Sequence, residues 1–370
     1  MAEKSSGQKR RTWIILFAAA VVWIAIGVGG RGFFSPQSAL AEESQGKPPK
    51  AQRLPDDLAG VSDAKYPSLE GLAAGSREAQ ERQRQAVQQF GLPLEVKTAK
   101  TGIVFRLVPA GSFTMGSPKA EQYARIKSMG RKPEEFRIET ERQVTLSEVF
   151  YCGKYEVTQG QWEQVMGSNP SYFKNAGKDA PVEQVSWDDC QEFLRKLCQM
   201  EGAAAGTYRL LTGAEWEYAC RAGTQTAWYN GEIDIHGERS APTLDAIAWY
   251  GGNSGVDYEG AVDSSRWSEK QYDHKRAGTH VVGGKRANGF GLCDMIGNVY
   301  EWCQDWYGEY PSGAVTDPLG PASGGYRVSR GGSWYYDAWI CRSAFRLRPT
   351  PGYRSYIVGF RLARTTASYP

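Results

Sequence analysis

Histidine is the scarcest chemistry-bearing side chain here. The chain has three, His236, His274 and His280, and no two stand four apart, the spacing by which paired imidazoles on one helix share a metal. A zinc or iron centre built from histidines is therefore not expected. A basic field is missing too. The formal charge is +3, but the first 41 residues hold five basic side chains and one acidic, and without them 39 basic residues face 40 acidic ones. That balance gives no electrostatic footprint for nucleic acid. Nothing in the composition suggests a regular helical bundle. What is there instead is 43 glycines, 20 tyrosines and 12 tryptophans, the composition of an irregular domain whose many turns are pinned by large aromatic anchors. At 370 residues the chain can hold one large or two ordinary domains, with ample length to bury a core.

Residues 1–41 read as an export segment. Lys9, Arg10 and Arg11 precede an uncharged run from Trp13 to Gly30, and Ala39-Leu40-Ala41 offers a small-residue cleavage site. Uncleaved, the run is also long enough to stay as a signal anchor, since about 18 apolar residues can span a bilayer. In either case the rest of the chain is expected on the exported, oxidising side, touching a membrane only through this segment. Residues 42–100 turn to Pro, Lys, Glu, Gln and Ser. Within them SREAQERQRQAVQQF, Ser76 to Phe90, has helix formers but almost no apolar stripe, and a solvated helix in a polar tether is expected.

The folded domain is expected over 101–366. VFRLVPAGSFTMGS reads as strand, turn and strand, and Val144 to Val157 alternates like a strand pair. Three capping boxes then mark helix starts: Thr158 with Gln161, Ser186 with Asp189, and Thr212 with Glu215. The middle helix carries Cys190, Phe193, Leu194, Leu197 and Cys198 at helical spacing, a buried stripe. Ala227 to Gly284 reads as a long, loop-rich excursion.

The densest stretch is Gly291 to Trp306, GLCDMIGNVYEWCQDW, followed by RGGSW at Arg330 to Trp334 and GFR at Gly359 to Arg361. Asp294 and Glu301 bracket Gly297, Asn298 and Val299, so two carboxylates and a glycine-bent run of carbonyls can converge on one point. Calcium favours that all-oxygen mixture; a plain turn with two solvated acids is the alternative.

These residues resemble the G-L-x-D-M-x-G-N-V-x-E-W motif of the formylglycine-generating enzyme (sulfatase-modifying factor) family. The likeness extends in order through VPAGSFTMGS, YEVT, PVEQVSW and RLLTGAEWEYA over nearly all of Thr101 to Arg364. It implies an α+β, irregular, loop-rich variant of the C-type lectin fold. It also implies a structural calcium ion on the Asp294 and Glu301 side chains and the Gly297 and Val299 carbonyls. WYGGNS, Trp249 to Ser254, resembles the segment donating a second calcium's Asn side chain and following carbonyl, here Asn253 and Ser254, with Asp263 or Asp273 as acidic partner; a plain loop asparagine is the alternative. His280 sits where relatives often carry a turn residue and is expected to be a hydrogen-bonded structural histidine.

The resemblance is weaker for activity. The family's oxidase uses two cysteines five apart after Gly-Gly-Ser to bind copper, a soft ion that needs thiolates. Here the first of those positions is Tyr336. Cys341 aligns without a gap with the second, as a candidate catalytic thiol. Its context CRSAFR equally resembles a structural half-cystine whose partner lies in an E-Y-x-C-R motif, here Cys220. Seven cysteines in an exported chain leave at least one unpaired. Related domains that use iron take ligands from a separate helical domain, which these histidines do not complete.

Trp334, Tyr335, Tyr336, Asp337, Trp339, Phe345, Tyr353 and Tyr356 crowd between GGSW and GFR. Aromatics on irregular loops make a recognition surface at low entropy cost; filling a strand-poor core is the alternative. The leading expectation is a calcium-stabilised binding or accessory module that engages a protein or small-molecule ligand, a sulfatase among the candidates, through this surface. A copper or iron oxidase retaining Cys341 is the second, and a retroelement-diversified receptor, whose variable region this segment also resembles, the third.

Overall fold

Six strands drawn from both ends of the chain make the central sheet. In this computed structural model, which describes residues 54–122, 139–259 and 262–366, the chain begins with β1 (Leu58–Gly60), α1 (Ser76–Phe90), β2 (Glu95–Thr98) and β3 (Val104–Val108). Then come β4 (Gly111–Met115), β5 (Arg142–Leu146), β6 (Phe150–Gly153), α2 (Gln159–Met166), α3 (Trp187–Glu201), β7 (Tyr208–Leu210) and α4 (Gly213–Arg221). A loop-rich stretch follows, carrying only the single-turn α5 (Pro242–Asp245) and the two-residue strands β8 (Val262–Asp263) and β9 (Arg276–Ala277). The chain finishes with β10 (Tyr300–Trp306), β11 (Val315–Thr316), β12 (Arg327–Arg330), β13 (Arg346–Leu347), β14 (Val358–Gly359) and β15 (Leu362–Thr365). The expected export segment lies outside the described residues, among which no helix is long and apolar enough to cross a membrane.

The central sheet runs β1-β2-β3-β6-β15-β7 with antiparallel pairing. β15 sits between β6 and β7, so Ala363 faces Cys152 on one side and Arg209 on the other. A second sheet, β13-β12-β10-β14, carries the dense motif: Glu301 registers with Arg330 on β12 and with Gly359 on β14. A third, β11-β5-β4, stands apart.

Local chemistry sets the helix starts. Thr158, Ser186 and Thr212 each cap the third residue on, and Gln161, Asp189 and Glu215 each reach back to the cap N–H, satisfying two otherwise orphaned donors per helix. The α3 stripe is buried as expected, with Trp162 of α2 stacked on Phe193 at 5.2 Å.

The structure corrects the expected tether. β1 and β2 extend the central sheet, and α1 is docked rather than solvated, burying Ala79, Gln83 and Ala86. Ala79, Ala86 and Val87 pack on the core, and on the same face the Gln83 amide donates to the carbonyls of Leu107 (2.6 Å) and Phe290 (3.0 Å). Further upstream Asp57 pairs with Arg364 through two bonds of 3.0 and 3.1 Å and accepts the Tyr208 hydroxyl, tying this stretch to the last strand.

Candidate functional site

Glu301 is the centre of the dense motif, and an arginine holds it. Arg361 donates to both carboxylate oxygens at 2.7 Å, and Trp216 Nε1 donates to Oε2 at 2.6 Å. All three side chains are buried. Arg361 also donates to the carbonyls of Gly153 and Cys293, at 2.9 Å each. Of the oxygens that the resemblance assigned to calcium, the two of Glu301 thus sit in a bidentate, charge-assisted pair.

Asp294 is in a different condition. It starts a tight loop in which Asp294 (φ 53°), Gly297 (φ 83°) and Asn298 (φ 53°) all adopt left-handed backbone. Gly297 is required there, because a Cβ would lie 2.3 Å from the Trp249 carbonyl oxygen. Asp294 Oδ2 accepts the Gly283 N–H, while Oδ1 is buried without a hydrogen-bond partner. Burial pushes this carboxyl up to about 6, and the Glu301 charge adds to the rise. A further carboxylate, Glu156, accepts from Asn298 Nδ2 (3.1 Å) and the Val299 N–H (3.3 Å). Burial, followed by the charges of Asp294 and Glu301, raises it well above the usual range. The sequence reading missed Glu156, although its place in the family-like Tyr155-Glu156-Val157-Thr158 was a usable signal. Among the described residues, no group of three or more His, Cys, Asp or Glu side chains is arranged to hold a metal.

At the second expected metal position Asn253 makes three hydrogen bonds. Asn253 Oδ1 accepts the Tyr250 N–H (2.9 Å), and Nδ2 donates to Asp245 (2.6 Å) and the Ala248 carbonyl (2.8 Å). Its acidic neighbour is Asp245; Asp263 caps Ser265 in an exposed turn, and Asp273 is exposed beside Lys270. The Ser254 carbonyl accepts from His280 Nε2 (2.9 Å). His280 lies flat on Trp249, centroids 3.7 Å apart, and burial together with the Lys285 charge pushes it down to about 4.

The aromatic face is partly core. Trp334 and Phe345 are buried, Trp334 edge-on to Phe173 at 5.1 Å with Nε1 donating to the Tyr356 carbonyl, and these two leave the expected surface. Tyr335, Tyr336, Asp337, Trp339 and Tyr356 are half-buried, and Tyr353 is 40% exposed. They join two residues that the sequence reading did not include. Tyr172, 49% exposed, lies 5.6 Å from Tyr356, and Trp267 meets Tyr335 edge-on at 5.1 Å. Tyr336 packs on Tyr335 (5.4 Å) and Tyr300 (5.6 Å).

The expected Cys220–Cys341 disulfide is not formed; both are buried thiols, as are the other five cysteines. Each already has oxygen partners: Cys220 contacts Ser343 Oγ (3.5 Å) and the Met295 carbonyl (3.9 Å), and Cys341 the Ser333 carbonyl (3.8 Å). Burial raises the Cys341 thiol far above the usual range, helped by the Asp337 charge, which favours the protonated form.

Comparison with solved structures defines the class first. The fold is similar to Treponema denticola variable protein 1 (TM-score 0.56, 29% identity, covering 75% of this chain and all of that one) and to PvdO from Pseudomonas aeruginosa (TM-score 0.54, 26% identity, 72% and 96%). This is the loop-rich, C-type-lectin-like architecture of formylglycine-generating-enzyme-like proteins. The family model of the sulfatase-modifying factor enzyme 1-like domain matches residues 93–366, and the chain belongs to that family. Curated relatives include the chaperone protein LppX of Paenibacillus barcinonensis, 35% identical over 53% of this chain and 72% of that protein. The formylglycine-generating enzyme of Bos taurus is 26% identical over 83% and 86%.

Proposed function

We propose that this chain is an exported binding or accessory module of its family, engaging a protein or small-molecule ligand through the face made by Tyr335, Tyr336, Asp337, Trp339, Tyr353 and Tyr356. The observation that carries the reading is Tyr336. Where the oxidase needs its first copper thiolate there is a phenol packed between two other tyrosines, and the remaining thiol, Cys341, is buried and protonated. Half-buried tyrosines on rigid turns offer contact area with little entropy to lose on binding. The likeness to a protein named a chaperone supports an accessory role, and the likeness to one named a variable protein supports a ligand-binding face.

The reading keeps calcium as a structural ion at one position. The unpartnered Asp294 Oδ1 beside a second buried carboxylate, Glu156, fits a cation. Asp294 with the Gly297 and Val299 carbonyls would hold the ion, and Glu301 stays with Arg361. Bound there, calcium would supply positive charge to two carboxylates that share one arginine's field.

Three experiments test the reading. Incubation with copper and a sulfatase-type cysteine peptide is expected to leave the peptide thiol intact, and conversion to an aldehyde would overturn the module in favour of the oxidase. A photocrosslinker at Tyr353 should capture a candidate sulfatase or other exported partner, and the capture should vanish with Tyr335→Ala/Tyr356→Ala. For calcium, chelation should lower the melting temperature, because a bound ion stabilises the fold by mass action; an unchanged value removes the ion.

A further inference from the structure

Where this chain leaves an aromatic ring accessible, it often lays a cation of its own over it. Arg84 sits over Tyr66 at 4.5 Å from the ring centroid, Lys285 over Trp249 at 3.9 Å and Arg348 over Tyr326 at 5.9 Å, and Arg327 lies between Trp187 and Trp306 at 3.6 and 3.4 Å. The negative potential of a ring face attracts such charges. The proposed ligand face departs from this habit. Among the described residues, no lysine or arginine lies over Tyr172, Tyr335, Tyr336, Tyr353 or Tyr356. The two arginines that border the face are engaged elsewhere. Arg354 donates to both Asp189 oxygens at 2.7 and 2.8 Å, and Arg239 donates to Glu238 at 2.8 Å while lying 5.4 Å from the Trp267 centroid.

The rings are set as walls rather than as a flat platform. Tyr335 stands at 85° to Trp334, 83° to Trp267 and 82° to Tyr336, with centroids 5.6, 5.1 and 5.4 Å apart. Rings at right angles form a corner whose two sides can both turn negative potential toward one compact ion. The titration of the face points the same way. Burial raises the Tyr336 phenol, and Tyr353, Tyr335, Tyr356 and the Asp337 charge raise it further. Each of these neighbours is a group that carries negative charge when ionised, which a cation would offset.

We infer that the face receives a basic side chain, a guanidinium or alkylammonium group, of a partner protein. The inference rests on the reading of this face as a ligand surface. Tyr172 and Tyr353 are exposed, so the corner encloses an ion on one side only, and a free amine would gain too little contact to offset the cost of binding. On a partner, the same charge arrives with contact area around it. Arginine is favoured over lysine here, because its planar group stacks on a ring and is more weakly hydrated.

The test is calorimetric titration of the full chain with the peptide acetyl-Gly-Arg-Gly-Arg-Gly-amide, its citrulline counterpart and agmatine. The arginine peptide should bind saturably. The citrulline peptide, nearly the same in shape but uncharged, and agmatine should each bind at least tenfold more weakly. Tyr335→Leu/Tyr336→Leu should weaken the arginine peptide at least tenfold, whereas Tyr335→Phe/Tyr336→Phe, which keeps both rings, should stay within about threefold. Should the leucine pair fail to fold, Tyr172→Leu/Tyr353→Leu, at exposed positions, should weaken the peptide at least threefold. Equal binding of the arginine and citrulline peptides, no binding of the arginine peptide at millimolar concentration, or equal effects of phenylalanine and leucine would each overturn the inference. Agmatine binding as tightly as the peptide would overturn the partner protein in favour of a small-molecule amine. A partner captured by the crosslinker at Tyr353 and not displaced by the arginine peptide would sink the inference alone; no captured partner, together with no binding of either peptide, would sink the reading of the face as well.

Discussion

Arg361 and Glu301 form a buried, bidentate pair, with both bonds at 2.7 Å, that joins the last motif of the chain to the dense one before it. The arginine sits two residues beyond Gly359, which registers with Glu301 across β14 and β10. Breaking such a pair from one side leaves an uncompensated buried charge, at a cost of about 3–5 kcal/mol. Arg361→Met is therefore expected to lower urea stability by that amount. Arg361→Met/Glu301→Leu should recover part of the loss, because it removes both charges. A single variant within about 1 kcal/mol of the parent would mean that the pair is solvated or replaced by an ion.

Gly332 is where the backbone of the RGGSW segment passes Cys341. Its φ is +76°, and a Cβ there would lie 2.5 Å from Cys341 Sγ and 2.8 Å from Cys341 Cα. Left-handed strain and overpacking together put Gly332→Ala at about 2–4 kcal/mol destabilising. Gly332→Ala/Cys341→Ala should cost less than the sum of the two singles, since the sulfur clash is relieved, yet not return to the parent, since the Cα approach and the φ remain. Strict additivity in a denaturation cycle would show that residues 332 and 341 are not in contact.

The thiols give a direct chemical readout. With Cys220 and Cys341 unbonded and buried, the native chain should resist iodoacetamide at both positions. The denatured, unreduced chain should take up label at both. Mass spectrometry of the digested peptides reads this out, and recovery of a Cys220–Cys341 crosslinked peptide would restore the disulfide that the resemblance implied.

What was legible from sequence was what local chemistry decides. The three capping boxes involve residues three apart, and the structure contains all three with both reciprocal bonds. The helix of residues 76–90 was legible as a helix but not as part of the fold. Its anchor is Gln83, whose partners Leu107 and Phe290 lie far away in sequence and whose polarity reads as solvated. The same blindness affected the site. Nothing local tells that Trp334 turns inward while Tyr335 and Tyr336 remain half-exposed, or that the carboxylate nearest Asn253 comes from Asp245 rather than Asp263 or Asp273. Glu301 and Asp294 were read together as ligands from one motif; that Arg361, in the link between β14 and β15, pairs with Glu301 was not legible there.

Glu183 supplies a pH dependence beneath the aromatic face. Its buried carboxyl accepts the backbone N–H groups of Phe173 (2.8 Å) and Tyr172 (3.1 Å), the residues that carry the Trp334 and Tyr356 contacts. Burial pushes it up to about 7, against the pull of those two N–H groups toward the ionised form. A carboxyl raised on folding takes up a proton as the chain folds, so its contribution is fully present below the unfolded value near 4.5 and is lost as pH rises to about 7. The loss is about 3 kcal/mol at most. Asp294, Glu156 and Asp305 are raised as well and slope the same way, so the parent's curve alone does not isolate Glu183. Glu183→Gln does, whatever it costs outright, since an amide cannot titrate. Chemical denaturation of both proteins from pH 4 to 8 should show the parent losing stability more steeply than the variant between 4.5 and 7, with parallel curves above. Parallel curves throughout would mean that Glu183 is ionised in the folded chain and that its two backbone bonds outweigh its burial.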